Sequence, residues 1–125
     1  MSEESPLIAI VDDDPSILQA FGRLLTASGY RVQLFNSAYA FQATPESGNA
    51  ACVLLDIDLG AGESGLDLGT TLAAAGHAPP IIFITGRIKP EIRRRAEEIG
   101  CVAFLEKPIP AELLLATVRR AASGR

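Results

Sequence analysis

The sequence predicts a doubly wound α/β fold: one five-stranded parallel sheet, strand order 2-1-3-4-5, with helices on both faces. Three observations lead there. Apolar runs of strand length recur about every 20–25 residues. Helical patterns fill the gaps, so that β and α alternate five times. Four of the five apolar runs are nearly continuous, as in strands buried on both faces of a parallel sheet.

The first strand is LIAIV (7–11). Pro15 then opens a helix whose Ile17, Leu18, Phe21, Leu24 and Leu25 form one apolar stripe, with Asp14 as N-cap and Gly29 as stop. The second strand, YRVQLF (30–35), alternates polar and apolar residues, which suits a sheet edge. Ser37 caps a short helix over 38–43, and TPESGN (44–49) reads as a loop. CVLL (52–55) is the third strand, followed by a helix over 65–75 carrying Leu66, Leu68 and Leu72. IIFIT (81–85) is the fourth, followed by a helix over 89–99 stopped by Gly100. VAFL (102–105) is the fifth, and Pro110 opens a last helix over 110–122.

A chain of 125 residues that is 48% hydrophobic has the length of one domain and enough apolar mass for one core. No linker, repeat or low-complexity segment divides it, and the expectation is a single domain over 1–125. No run approaches the roughly 20 apolar residues that span a bilayer, and MSEESP is no signal peptide. The expected setting is therefore soluble and cytoplasmic, without membrane contact. A net charge of −4 argues against direct nucleic-acid binding. Cys52 and Cys101 lie in apolar stretches without metal-ligand spacing and read as reduced core thiols.

The chemistry gathers at strand ends. LIAIV runs straight into Asp12, Asp13 and Asp14. One pair of like charges about 4 Å apart costs on the order of 4 kcal/mol at an effective dielectric of 20. Asp14 is accounted for as a helix cap, but one cap needs one acid. In this strand order, ligands sit outside the carboxyl ends of strands 1 and 3, where Asp12 and Asp13 meet Asp56. Convergent carboxylates without Cys or His favour a hard divalent ion, Mg²⁺ before Zn²⁺. Strand 4 ends at Thr85 and strand 5 at Lys107, a hydroxyl and an ammonium suited to phosphoryl oxygens. The Lys-Pro pair at 107–108 hints at a tight turn with a cis bond that aims the lysine inward.

Taken together, IVDDDP (10–15), VLLDIDL with SGLDL (53–59, 64–68), IIFITG (81–86) and AFLEKPI (103–109) resemble the receiver domain of two-component response regulators, of the CheY-like superfamily with its flavodoxin-like fold. The resemblance covers about residues 6–122. It implies that Asp56 is the phosphoacceptor in a phosphorelay, loaded by a sensor histidine kinase or a histidine phosphotransfer protein. Asp12 and Asp13 would hold Mg²⁺, Asp13 directly and Asp12 through water, with Asp56 and the backbone carbonyl of Asp58 completing the set. Thr85 and Lys107 would engage the phosphoryl group, and Phe104 would be the aromatic switch partner of Thr85. A downstream protein would dock on the face of the fourth helix, fifth strand and fifth helix. Such a domain is not an enzyme with a separate substrate, but contributes to its own phosphorylation and dephosphorylation. No output domain is expected.

The chain departs from the family pattern in three places. The loop GAGES (60–64) is one residue longer than usual, with Gly60 where proline is common. Arg87 and Asp58 stand where the family tunes dephosphorylation, and are expected to pair across the mouth. Phe104 lacks the hydroxyl of the tyrosine many members carry. The arginine run Arg93–Arg95 reads as a solvated helix face balanced by Glu97 and Glu98, or as a partner surface. His77 is expected to have a structural or solvent role only.

Two other functions fit parts of the pattern. Asp56-x-Asp58 after an apolar strand resembles phosphatases of the haloacid dehalogenase type, with Asp56 as nucleophile and Asp58 as general acid/base. The motif lies on the third strand rather than the first, which opposes that reading. A flavodoxin-like cofactor binder would need a Ser/Thr/Gly phosphate loop where the three acids stand.

Overall fold

A computed structural model describes residues 5–76 and 78–123; His77 lies outside the described residues. The main sheet has five parallel strands: β1 (Leu7–Val11), β2 (Arg31–Phe35), β3 (Cys52–Asp56), β6 (Ile81–Thr85) and β7 (Ala103–Glu106). Their order is β2-β1-β3-β6-β7, which is the predicted 2-1-3-4-5. A short antiparallel hairpin, β4 (Asp58–Gly60) with β5 (Glu63–Ser64), follows β3. The helices are α1 (Pro15–Ala27), α2 (Ala38–Gln42), α3 (Gly65–Ala74), α4 (Pro90–Ile99) and α5 (Ala111–Ser123).

Alternation along each strand splits the core into two layers. Leu7, Ala9 and Val11 of β1, with Val53, Leu55 and Phe83, face α2, α3 and α4. Ile8 and Ile10, with Leu54, Ile82 and Ile84, face α1 and α5. Both layers are built of buried apolar side chains, and burying one such aliphatic side chain stabilises the fold by about 1.5–3 kcal/mol. β1, β3 and β6 are buried throughout, which is why they read as unbroken apolar runs. β2 pairs only with β1, and as an edge strand it leaves Arg31 and Leu34, on opposite faces, exposed.

The predicted punctuation is in place. Asp14 accepts from the Ser16 amide at 2.8 Å, and Ser37 accepts from the Ala40 amide at 3.0 Å. Gly29 and Gly100 close α1 and α4 with left-handed φ of 99° and 94°. Element ends differ from the expected ones by a residue or so. Two differences are larger. TPESGN contains a 3₁₀ turn over Pro45–Asn49, and the expected GAGES loop is the β4–β5 hairpin. No helix among the described residues is long and apolar enough to cross a membrane.

Candidate functional site

Strands β1 and β3 are neighbours in register, with Val11 opposite Leu55. The residues one step beyond, Asp12 and Asp56, therefore emerge side by side at the sheet's carboxyl edge. Both are almost wholly buried, at 2% and 3% exposure, while Asp13 is exposed. One carboxylate oxygen from each of Asp12, Asp13 and Asp56 lies within 4.8 Å of the others.

The two buried acids are held alike. Asp12 Oδ1 accepts from the Asp14 amide at 2.9 Å, and Asp56 Oδ1 from the Asp58 amide at 3.2 Å. Their Oδ2 atoms share one ammonium: Lys107 Nζ is 3.2 Å from Asp12 and 3.4 Å from Asp56. Lys107 follows β7, whose amide at Lys107 donates to the Thr85 carbonyl at 2.8 Å. The Lys107–Pro108 bond is cis, as expected.

These contacts set the protonation. Burial, then the charge of Asp12, pushes the Asp56 carboxyl up to about 6, against the pull of Lys107 and the Asp58 amide. Burial opposes the charge on Lys107, but Asp56 and Asp12 outweigh it and hold the ammonium above the ordinary lysine range. Three carboxylates face one ammonium here, leaving an excess of negative charge. An all-oxygen donor set of that charge, partly buried, fits a hard divalent cation.

The remaining predicted residues occupy a wider ring. Asp58 begins β4 and is exposed; its amide, not its carboxylate, reaches Asp56. Thr85 is buried at the end of β6, but its hydroxyl serves its own loop. It donates to the Arg87 carbonyl at 3.1 Å and accepts from the Arg87 amide at 3.3 Å. Phe104 is half-buried on β7, with the Arg93 guanidinium 5.6 Å above its ring centre.

Two expected pairings are corrected. The expected pairing of Arg87 with Asp58 is not formed: among the described residues, the ion pairs are those of Lys107 and Arg95–Asp67 at 3.2 Å. Arg87 instead uses its backbone to hold Thr85. The arginines of α4 do not turn to Glu97 and Glu98 either. Arg95 crosses to Asp67 of α3, and Arg93 stacks on Phe104. Helix geometry explains this, since a three-residue run fans around the axis and its members meet different neighbours.

Four residues shape the site in ways that sequence reading did not anticipate. A Cβ on Gly65 would stand 2.1 Å from the Asp56 carbonyl oxygen. One on Gly60, already at φ 72°, would stand 2.9 Å from Asp13 Oδ2. Glu106 Oε2 accepts from the Ile88 amide at 3.0 Å and pins the loop after β6. Glu63 caps α2 from the hairpin. The sequence marks Gly60 only as a departure in loop spacing, not as a close neighbour of Asp13; the two glutamates give no local signal.

Comparison with known proteins places this arrangement. Residues 8–119 match the response regulator receiver domain model. The chain is 38% identical over 122 residues to the response regulator protein TmoT of Ectopseudomonas mendocina, covering 97% of this chain and 54% of that protein. It is 35% identical over 121 residues to the response regulator protein TodT of Pseudomonas putida, covering 97% and 53%. The chain thus spans about half the length of the curated relatives it matches. A CheY-like receiver domain from Methanospirillum hungatei JF-1 superposes with a TM-score of 0.89 at 26% identity, over 97% of this chain and 96% of that one. The haloacid dehalogenase alternative gains nothing from these matches. The sheet order, the acidic cluster under one lysine and the family match agree: the chain belongs to the response regulator receiver domain family.

Proposed function

We propose that Asp56 accepts a phosphoryl group from a phosphohistidine, on a sensor histidine kinase or a histidine phosphotransfer protein in the cytoplasm. The observation that carries this is Asp56 at the end of β3, 3% exposed, with Lys107 Nζ 3.4 Å from its Oδ2. The unit of the proposal is the fold over about residues 6–122. A carboxylate oxygen of Asp56 attacks phosphorus; the O–P bond forms and the N–P bond breaks. The histidine leaves as imidazole and takes up a proton from solvent. Lys107 moves with the transferred charge, trading carboxylate partners for phosphoryl oxygens.

Asp12, Asp13, Asp56 and the Asp58 backbone carbonyl would hold Mg²⁺, whose charge would offset the gathered oxygens and polarise the phosphorus. Thr85 would exchange its bonds to Arg87 for one to the phosphoryl group, and Phe104 would follow, so that local charge biases a two-state element. The domain thereby contributes groups to its own phosphorylation and dephosphorylation. The acidic net charge supports a protein as downstream partner, docked on α4, β7 and α5.

The test is intact-mass measurement after incubation with Mg²⁺ and a small phosphodonor. One phosphoryl group is expected on the wild type and none on Asp56→Asn. Adduct formation that persists in Asp56→Asn would remove Asp56 as acceptor.

A further inference from the structure

We propose that Glu63 is a positioning residue: it docks the hairpin of 58–64 onto the start of α2 and so fixes the outer wall of the acidic site. This rests on reading that site as a divalent-cation site.

The hairpin touches two of the three carboxylates. At its first strand, the Asp58 amide donates to Asp56 Oδ1 at 3.2 Å. At its turn, Gly60 lies so near Asp13 that a Cβ would stand 2.9 Å from Oδ2. Its second strand carries Glu63, whose Oε1 accepts from the Ala38 amide at 2.9 Å and Oε2 from the Tyr39 amide at 3.2 Å. These are first-turn amides of α2, which have no partner inside the helix. A carboxylate is also favoured there by the helix dipole. Ser37 takes the Ala40 amide, so the two side chains together complete the cap.

The docking point is itself tied to the site. The Phe35 carbonyl, just before α2, accepts from the Asp12 amide at 3.0 Å. A ring therefore closes around the acids: Asp12 backbone, the end of β2, the start of α2, Glu63, the hairpin turn, Asp13. Leu59 packs the first strand of the hairpin into the core; among the described residues, no other side chain of the hairpin hydrogen-bonds to an element outside 56–66, so Glu63 is the polar tie of the second strand. This hairpin is also the segment with one residue more than the family spacing, and a longer loop needs a tie to keep one position. Cutting the Glu63 link would free the second strand and the turn to move, so that Gly60 no longer holds the Asp13 carboxylate at one separation from the Asp58 carbonyl.

Charge alone could also matter, because Glu63 is an acid near a cation site. Glu63→Asp keeps the charge but is one methylene too short to span both amides. Glu63→Gln keeps the length and one acceptor oxygen, enough for one of the two amides, but drops the charge and the second acceptor. The measurements are Mn²⁺ affinity by electron paramagnetic resonance, in high salt to screen exposed charges, and amide exchange at Ala38 and Tyr39 without metal. Glu63→Ala and Glu63→Asp should lose protection at both amides and lose about tenfold in Mn²⁺ affinity, as for other groups that orient metal ligands. Glu63→Gln, which still holds one amide, should fall between wild type and Glu63→Ala. Freed amides with wild-type Mn²⁺ affinity in Glu63→Ala would overturn the proposal. So would a Glu63→Gln that falls as far as Glu63→Ala while Glu63→Asp binds normally, since charge would then be the whole effect. A wild-type protein that fails to bind Mn²⁺ would remove the cation-site reading itself, and with it this proposal, before any variant is made.

Discussion

Asp56 holds its proton unusually well for a carboxylate, and that has a sign that can be measured. Its folded value of about 6 lies above the roughly 3.9 of an unfolded aspartate. The folded state therefore gains from the bound proton below about pH 4, and that gain is lost as pH rises through about 6. Above this, without a divalent ion, the ionised side chain costs stability on the order of 2 kcal/mol. Asp56→Asn should then be more stable than wild type at pH 7.5, with the advantage vanishing near pH 4, in metal-free denaturant titrations. A constant difference across that range would mean the carboxyl is not strained by its neighbours. Burial acts on the thiols in the same direction: it pushes Cys52 up to about 12 and also raises Cys101. Cys52, deep in the sheet, should resist thiol reagents in the native state at pH 8, while Cys101, half-buried, reacts; equal labelling rates would contradict the burial argument.

At the scale of elements, the site depends on how closely α3 and the strand ends approach. Gly65 opens α3 directly against β3, its amide donating to the Ile57 carbonyl at 2.8 Å. Alanine there would favour the helix by about 1 kcal/mol. The Cβ clash with the Asp56 carbonyl should outweigh this and destabilise the domain by about 3 kcal/mol, shifting the denaturant midpoint down. A stabilised Gly65→Ala would show that this contact can relax cheaply. The end of β7 divides its duties between consecutive residues. Lys107 turns to the acids, while Glu106 holds the loop after β6 through Ile88. Strand alternation puts the two on opposite sides, so displacement of one is felt by the other. Thr85 and Glu106, register partners across β6 and β7, both anchor that loop.

Across the whole molecule, a divalent ion bound only by the folded site adds to global stability. At tenfold excess over its dissociation constant, Mg²⁺ contributes about 1.4 kcal/mol, which raises the melting temperature by roughly 5 °C for a domain of this size. Asp13→Ala should abolish the shift without unfolding the protein, since Asp13 is exposed. An equal shift in that variant would place the ion elsewhere. The site is global in another sense: its ammonium and its carboxylates are 51 and 95 residues apart in sequence, so any partial unfolding that detaches β7 dissolves it.

Much of this was legible from residues alone because burial on both faces leaves a one-dimensional trace. A strand like LIAIV must be apolar at every position, and a sheet of such strands must be covered by helices. The acids could be read as a site because chain order in a doubly wound sheet puts the ends of β1 and β3 together. Tertiary structure decided whatever depends on contacts between distant, individually ordinary residues. Asp58–Gly60 carries no strand pattern and pairs with Glu63–Ser64 only because the chain doubles back before α3. Glu63 caps a helix some 25 residues earlier, and Arg87 meets Thr85 through its backbone while its side chain forms no ion pair with Asp58. Periodicity records which face of an element is dry; it does not record which polar groups that packing brings within hydrogen-bonding distance.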